Sequence, residues 1–141
     1  MSKIRVLVAY DEEKIRNKLV KILEDIRYVE IIAILDNADK LYETITALKP
    51  EMIFSKYYFE NIKLIDIIRK ICEEQECECP IINIIDSNVK DDEILEMMTI
   101  TDDKFNATIN KFEIENIEKY NRVRELINQY RAYVKLFKWN K

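Results

Sequence analysis

Charged residues follow two apolar segments of this sequence, each of which predicts a buried strand. Asp11 and Glu12 come just after the run Ile4–Ala9, and Lys56 closes the run Pro50–Lys56. In an open α/β sheet, ligands usually bind at the edge where the parallel strands end. Carboxylates at that edge can hold a divalent cation, whereas a carboxylate beside an ammonium group can form an ion pair. The sequence therefore predicts a charged site at the C-terminal edge of a sheet.

Two arrangements of Lys56 are open at this point. Its ammonium group can extend to water from the end of the strand, or it can enter the site and pair with Asp11. Pairing is favoured if the site is closed, because a buried ammonium group without a partner costs several kcal/mol. Asp11 also stands directly before a predicted helix, where it can serve as the N-cap. One carboxylate beside an ammonium group is a poor magnesium site, so we predict no metal ion and no cofactor.

The composition removes several classes of chemistry. The chain of 141 residues contains no histidine and no glycine. A Gly-rich phosphate loop, a dinucleotide-binding fingerprint and a nucleophile elbow are therefore excluded, as is the most frequent general base. Cys72, Cys77 and Cys79 do not follow a standard zinc spacing and are expected to be reduced thiols. The sequence therefore predicts that this protein is not an enzyme.

Apolar and amphipathic segments alternate five times, which predicts a parallel sheet with helices on both faces. Five such units in about 120 residues fit a flavodoxin-like doubly wound sheet of order 2-1-3-4-5 with an extended C-terminal helix. The predicted strands are Ile4–Ala9, Val29–Leu35, Glu51–Ser55, Ile81–Ile85 and Lys104–Ile109; the predicted helices are Asp11–Ile26, Ala38–Leu48, Ile62–Glu74, Asp91–Met98 and one that runs on from Glu113.

The order of these motifs resembles that of response-regulator receiver domains. Receivers typically have a hydrophobic strand, then Asp-Asp-Glu, then a helix that contains Ile-Arg. This chain has Tyr10-Asp11-Glu12 followed by Ile15-Arg16. The resemblance covers residues 3 to 128, so we expect a receiver-like domain over residues 1–128 and an extension of the last helix over residues 129–141. The resemblance to receivers also includes the segments Leu48–Ile53 and Pro80–Ile82 and the Lys111-Phe112 pair.

The resemblance implies that the phosphorylation pocket of the family is degenerate here. The first acidic position of receivers corresponds to Tyr10, while the second, a direct magnesium ligand, matches Asp11. Glu12 completes the acidic turn. The aspartate that accepts the phosphoryl group corresponds to Lys56, and a lysine cannot form an acyl phosphate. We therefore expect no phosphorylation at this position.

The remaining family positions also depart from the pattern, with one exception. The Ser or Thr that ends the fourth strand and bonds the phosphoryl group corresponds to Ile85. The aromatic switch residue of the fifth strand corresponds to Thr108. The functional lysine matches Lys111, although the proline after it is replaced by Phe112.

Apolar residues near the C-terminus are spaced three and four apart, as in a heptad seam. The last 22 residues carry a net charge of +5, and the rest of the chain carries −9. We expect this amphipathic segment to contact a second copy, an output domain or the protein's own body. The predicted interface consists of Tyr120, Val123, Ile127, Tyr130, Tyr133, Val134 and Phe137.

Together, these features predict an atypical receiver domain in two-component or phosphorelay signalling. It would act through protein–protein contacts as a homodimer or with a partner signalling protein, and control of transcription through an output domain is one implied role. No apolar run is long enough to span a bilayer and the N-terminus resembles no signal peptide, so a cytoplasmic location is expected. The alternative is nucleic-acid binding through the basic aromatic tail. The acidic body makes that unlikely for this chain alone.

Overall fold

The fold consists of five strands that alternate with helices. The computed structural model describes residues 3–74, 78–85, 88–116 and 121–138, with side chains up to Leu136. Cys77, Tyr120 and the side chain of Phe137 lie outside this description. The elements are β1 (Ile4–Ala9), α1 (Glu13–Glu24), β2 (Val29–Leu35), α2 (Leu41–Leu48), β3 (Met52–Ser55), α3 (Leu64–Glu74), β4 (Ile81–Ile85), α4 (Asp91–Thr101), β5 (Phe105–Ile109), α5 (Lys111–Glu115), α6 (Arg122–Tyr133) and a π-helical turn (Val134–Lys138).

The strands form one parallel sheet of order β2-β1-β3-β4-β5. This confirms the predicted flavodoxin-like doubly wound sheet. Strand β1 pairs with β2 on one side and with β3, the central strand, on the other. All four residues of β3 are buried, as expected for a parallel strand that is covered on both faces.

Each face of the sheet supports its own hydrophobic core. On one face, Val6 and Val8 pack with the apolar residues of α1, α5 and α6. On the other face, Leu7 and Ile53 pack with those of α2, α3 and α4. This division follows from the strand period of two, because successive side chains point to opposite faces.

The last helix departs from the prediction of one continuous helix from Glu113. Helix α5 begins earlier, at Lys111, because the side chain of Asn110 accepts a hydrogen bond from the backbone N–H of Phe112 at 2.8 Å. It ends after five residues at the C-cap Asn116, whose side-chain amide donates to the Phe112 carbonyl at 2.9 Å. Asparagine side chains compete in this way with the helix backbone. The final helix proper is α6.

The heptad seam is the core face of α6 and not a free surface. Val123, Ile127, Tyr130 and Val134 are all buried in the core that α1 and β1 also line. These four residues are therefore not accessible as the predicted interface. The reason is geometric: a 3-4 spacing fits the core face of a single packed helix as well as it fits a coiled coil. Among the predicted interface residues with described side chains, Tyr133 is exposed.

The C-terminal extension is joined to this core. Tyr130 and Val134 lie beyond the predicted boundary at residue 128, yet both are core residues. The Tyr130 hydroxyl donates to Oε2 of Glu51 at 3.0 Å, next to β3. Burial, followed by the charge of Glu51, raises the pKa of Tyr130 well above its ordinary value. The guanidinium of Arg131 lies 4.1 Å from the centroid of the Tyr28 ring, so it too faces the protein's own body.

Candidate functional site

The turn after β1 and the end of β3 lie side by side at the C-terminal edge of the sheet. Ala9 pairs with Ser55 in the parallel ladder. The backbone N–H of Lys56 continues this ladder by donating to the Ala9 carbonyl at 2.9 Å. The sheet therefore places the side chains of Asp11 and Lys56 within reach of each other, although they are 45 positions apart in the sequence.

Lys56 and Asp11 form the predicted ion pair. Nζ of Lys56 lies 3.0 Å from Oδ1 and 3.1 Å from Oδ2 of Asp11. The side chains are 27% and 40% exposed, so water screens their attraction and the pair contributes little to stability. Both carboxylate oxygens contact the ammonium group, which therefore stands beside the one carboxylate that a receiver would use for magnesium.

The ring of Tyr10 forms an aromatic wall of this site. Tyr10 is buried, and Nζ of Lys56 lies 5.6 Å from the centroid of its ring. At that distance the quadrupole of the ring attracts the cation. Tyr10 thus supplies a second, weaker contact to the ammonium group.

A second ion pair joins the same turn to the segment after β5. Nζ of Lys111 lies 3.4 Å from Oε2 of Glu12, and both side chains are about half exposed. Nη1 of Arg16 donates to the carbonyls of Tyr10 and Asp11, at 3.0 Å and 3.4 Å, which holds the turn against the first helix. Four of the predicted site residues therefore lie in two adjacent pairs.

The possible role of Asp11 as a helix cap is wrong. Helix α1 begins at Glu13, and its N-cap is Glu12, whose side chain makes no capping hydrogen bond. Asp11 lies one residue further out, with its carboxylate engaged by Lys56. The Asp11 carboxylate could either cap the helix or pair with Lys56, and the ion pair is the contact that forms.

The two remaining predicted positions carry no contact to this pair that the structure describes. Ile85 is fully buried at the end of β4, in the core on the α1 side of the sheet. Thr108 is half-buried in β5, where it pairs with Ile84.

The loop after β3 contains a contact that sequence reasoning missed. This loop folds back in a narrow hairpin with an antiparallel bridge between Tyr58 and Lys63. The Tyr58 hydroxyl donates to Oε1 of Glu93, in the first turn of α4. Lys63 approaches the other carboxylate oxygen of Glu93 at 3.5 Å. The sequence signal for this contact is Glu93 as the third residue of the predicted helix Asp91–Met98; its partners are set by the hairpin and are not visible in the sequence.

Two groups at this contact, Tyr57 in the loop and Glu93 in α4, have shifted pKa values. Burial, and then the nearby charge of Glu93, raises the pKa of the Tyr57 hydroxyl well above its ordinary value. Burial alone would raise the pKa of Glu93, but the hydrogen bonds from Tyr58 and the Lys90 amide, with the charge of Lys63, outweigh it and lower that pKa. Glu93 is therefore held as a carboxylate despite its burial.

Within residues 3–74, 78–85, 88–116 and 121–138, no group of three or more His, Cys, Asp or Glu side chains is arranged to hold a metal ion. Nor does that part of the chain contain a helix long and apolar enough to cross a membrane.

Solved receiver domains share this fold. The response regulator domain of Thermotoga maritima CheB is 18% identical with a TM-score of 0.69, over 89% of this chain and 97% of that one. A response regulator receiver protein from Pseudomonas putida is 16% identical with a TM-score of 0.70, over 92% and 98%. The N-terminal domain of a Wolinella succinogenes protein is 14% identical with a TM-score of 0.72, over 96% and 98%.

No protein-family model and no curated protein matches the sequence. At identities below one fifth, the structural likeness establishes the fold and leaves the function to be argued from the site. The fold is that of response-regulator receiver domains.

Proposed function

We propose that this chain is a receiver-like signalling module that acts through protein–protein contacts without being phosphorylated. The observation that carries the proposal is the Lys56–Asp11 ion pair at the C-terminal edge of the sheet. In receivers the residue at the position of Lys56 is the aspartate that accepts the phosphoryl group. An amine cannot replace the carboxylate in that reaction, and its positive charge repels the magnesium ion that the reaction needs.

This proposal places the chain in two-component or phosphorelay signalling, in the cytoplasm, as a module without enzymatic activity. Its effect would pass to a partner signalling protein or to an output domain, and control of transcription is one such effect. The receiver fold of its structural neighbours supports this assignment, although an analogy of fold is weaker than an argument from a site.

Incubation with acetyl phosphate and magnesium, followed by intact-mass measurement, tests phosphorylation independence. We expect no gain of a phosphoryl group. The matched control is Lys56→Asp, which restores the acceptor type and shows whether the rest of the site still supports the reaction. A stable phosphoryl group on the wild-type chain, mapped to the turn after β1 or the end of β3, would overturn the proposal.

The partner is expected to be a second copy of this chain. Helix α4 carries four acidic and no basic residues, and its Leu95 and Met98 are exposed. Helix α6 and its π-helical turn carry five basic residues and one acidic residue, with Tyr133 and Leu136 exposed. Two surfaces that are each amphipathic and of opposite charge can pair between copies.

Light scattering at several protein and salt concentrations measures this association. We expect a dimer that added salt weakens, since the attraction is electrostatic. Leu95→Gln and Leu136→Gln should each favour the monomer, whereas Ile34→Gln, a similar change at an exposed residue of β2, should not. A wild-type chain that stays monomeric at high micromolar concentration excludes the homodimer.

A further inference from the structure

The first turn of α4 is held by the loop that follows Lys56. This loop forms a closed hairpin, because Phe59 and Ile62 exchange backbone hydrogen bonds of 2.9 Å and 3.3 Å. The backbone N–H of Leu64 then donates to the Tyr57 carbonyl at 2.8 Å, which joins the hairpin to the start of α3. The hairpin presents Tyr58 and Lys63 side by side toward α4.

Glu93 receives both of these side chains. Its Oε1 accepts a hydrogen bond from the Tyr58 hydroxyl and another, at 3.2 Å, from the backbone N–H of Lys90. Its Oε2 lies 3.5 Å from Nζ of Lys63, which itself lies 5.8 Å from the centroid of the Tyr58 ring. The Glu93 side chain is only 11% exposed. A nearly buried carboxylate is stable only with such partners, so the contact is specific in geometry.

The anchoring of the hairpin extends to the core beneath it. Tyr57 is fully buried, and its ring meets that of Tyr58 edge to face with centroids 4.7 Å apart. The position of the Tyr58 hydroxyl is therefore set by the core on the α3–α4 side. One turn further along α4, Glu96 forms a separate ion pair with Arg69 of α3.

We propose that Tyr58 and Glu93 form a latch that fixes the N-terminal half of α4 against the loop after β3. Together, the Lys56–Asp11 pair and this latch connect residues 56–58 to the charged site at one end and to α4 at the other. The latch holds the exposed Leu95 and Met98 in one position without any phosphoryl group. This inference rests on the proposed function only in assigning that α4 surface to partner binding.

The latch makes Tyr58 and Glu93 positioning residues for the α4 surface. Removing the Tyr58 hydroxyl leaves the nearly buried Glu93 carboxylate short of one hydrogen bond, and discharging Glu93 weakens its bond from the half-buried Tyr58. Either change favours local opening of the first turn of α4. The alternative is that α4 is held by its buried face alone, through Met97 and the rest of the core, with the Tyr58 hydroxyl adding nothing.

Amide hydrogen exchange over residues 91–101 distinguishes the two. Glu93→Gln and Tyr58→Phe should each speed exchange in the first half of α4 by about tenfold, the effect of losing one charge-assisted hydrogen bond. The matched control is Asp91→Asn, which removes the same charge from the same turn of the helix; it should leave exchange within about twofold. Exchange in β1 and β3 reports whether each variant remains folded.

The two single variants and the double variant form a cycle that isolates the contact. If the latch exists, the double variant exchanges little faster than Glu93→Gln alone, because that change already weakens the Tyr58 contact together with the Lys63 ion pair. Unchanged exchange in the folded Tyr58→Phe variant, or strictly multiplied effects in the double variant, would overturn the latch. This readout uses the dilute monomer and no phosphoryl donor. A negative result would therefore overturn the latch without overturning the proposed function, and phosphorylation of the wild type would overturn the proposed function without overturning the latch.

Discussion

Two regions of this molecule depend on different kinds of side chain: the C-terminal edge of the sheet on charged residues, and the seam along α6 on buried apolar residues. At the edge, Lys56 and Asp11 meet in a partly exposed ion pair. Along the seam, Val123 and Ile127 are buried against the sheet, and the polar atom of Tyr130 is satisfied by Glu51. The sequence alone predicts a charged site for the first region and, for the second, an amphipathic surface that contacts a second copy, an output domain or the protein's own body.

The difference shows that the buried seam contributes mainly to stability, whereas the charged edge contributes little to it. Burying an apolar side chain contributes about 1.5–3 kcal/mol, whereas an exposed ion pair contributes about 0–1 kcal/mol. Substitutions at the edge can therefore exchange a group of carboxylates for an ion pair with little loss in the free energy of unfolding. The seam cannot change without loss of the core.

Ile127→Ala should produce the largest change in stability. Ile127 is fully buried in the core shared by α1 and α6, so the substitution leaves a cavity. We expect a loss of about 2–5 kcal/mol in the free energy of unfolding, measured by urea denaturation. Leu136→Ala, at a residue that is 64% exposed, should change it by less than about 0.5 kcal/mol. Equal effects would show that α6 is not packed as described.

Tyr130→Phe tests the polar contact of the seam. Loss of the hydrogen bond to Glu51 should cost about 1 kcal/mol near neutral pH. Because the pKa of Tyr130 is raised in the folded state, its hydroxyl stabilises the fold below pH 10 and loses this effect above it, where the unfolded chain ionises first.

Stability of the wild type should therefore fall between pH 10 and 11, and that of Tyr130→Phe should fall less. Tyr57, whose pKa is also raised, supplies the decline that remains in the variant. Identical alkaline profiles for the two proteins would mean that the Tyr130 hydroxyl is in water.

Of Ile127→Ala, Tyr130→Phe and Lys56→Met, the last should produce the smallest loss of stability. It keeps most of the length of the side chain and removes the charge, so it deletes the contact to Asp11 and the attraction to the Tyr10 ring. We expect a loss of at most about 1 kcal/mol, which added salt reduces in the wild type alone. A loss comparable to that of Ile127→Ala would mean that the edge is a buried structural site.

Most of the fold follows from the sequence, because strand and helix periodicity are local properties. The five strands, the sheet order and the first four helices could be predicted, and so could the Lys56–Asp11 pair, since adjacent parallel strands deliver their following residues to one edge.

Two features depended on more than periodicity. The break at Asn116 depends on a side chain that bonds its own backbone. The Tyr58–Glu93 contact depends on a hairpin whose closure is visible only in three dimensions. The heptad spacing predicts that α6 is amphipathic, but the spacing does not identify the surface that covers its apolar face.

Magnesium titration of the wild type and of Lys56→Asp tests the central claim, that an internal ammonium group stands in place of the metal ion. Lys56→Asp puts two carboxylates at the edge, so it should bind magnesium measurably more tightly than the wild type. Without metal it should be less stable, since like charges repel. If calorimetry shows that the wild type binds magnesium as tightly as Lys56→Asp, the ammonium of Lys56 does not occupy the site and the account is wrong.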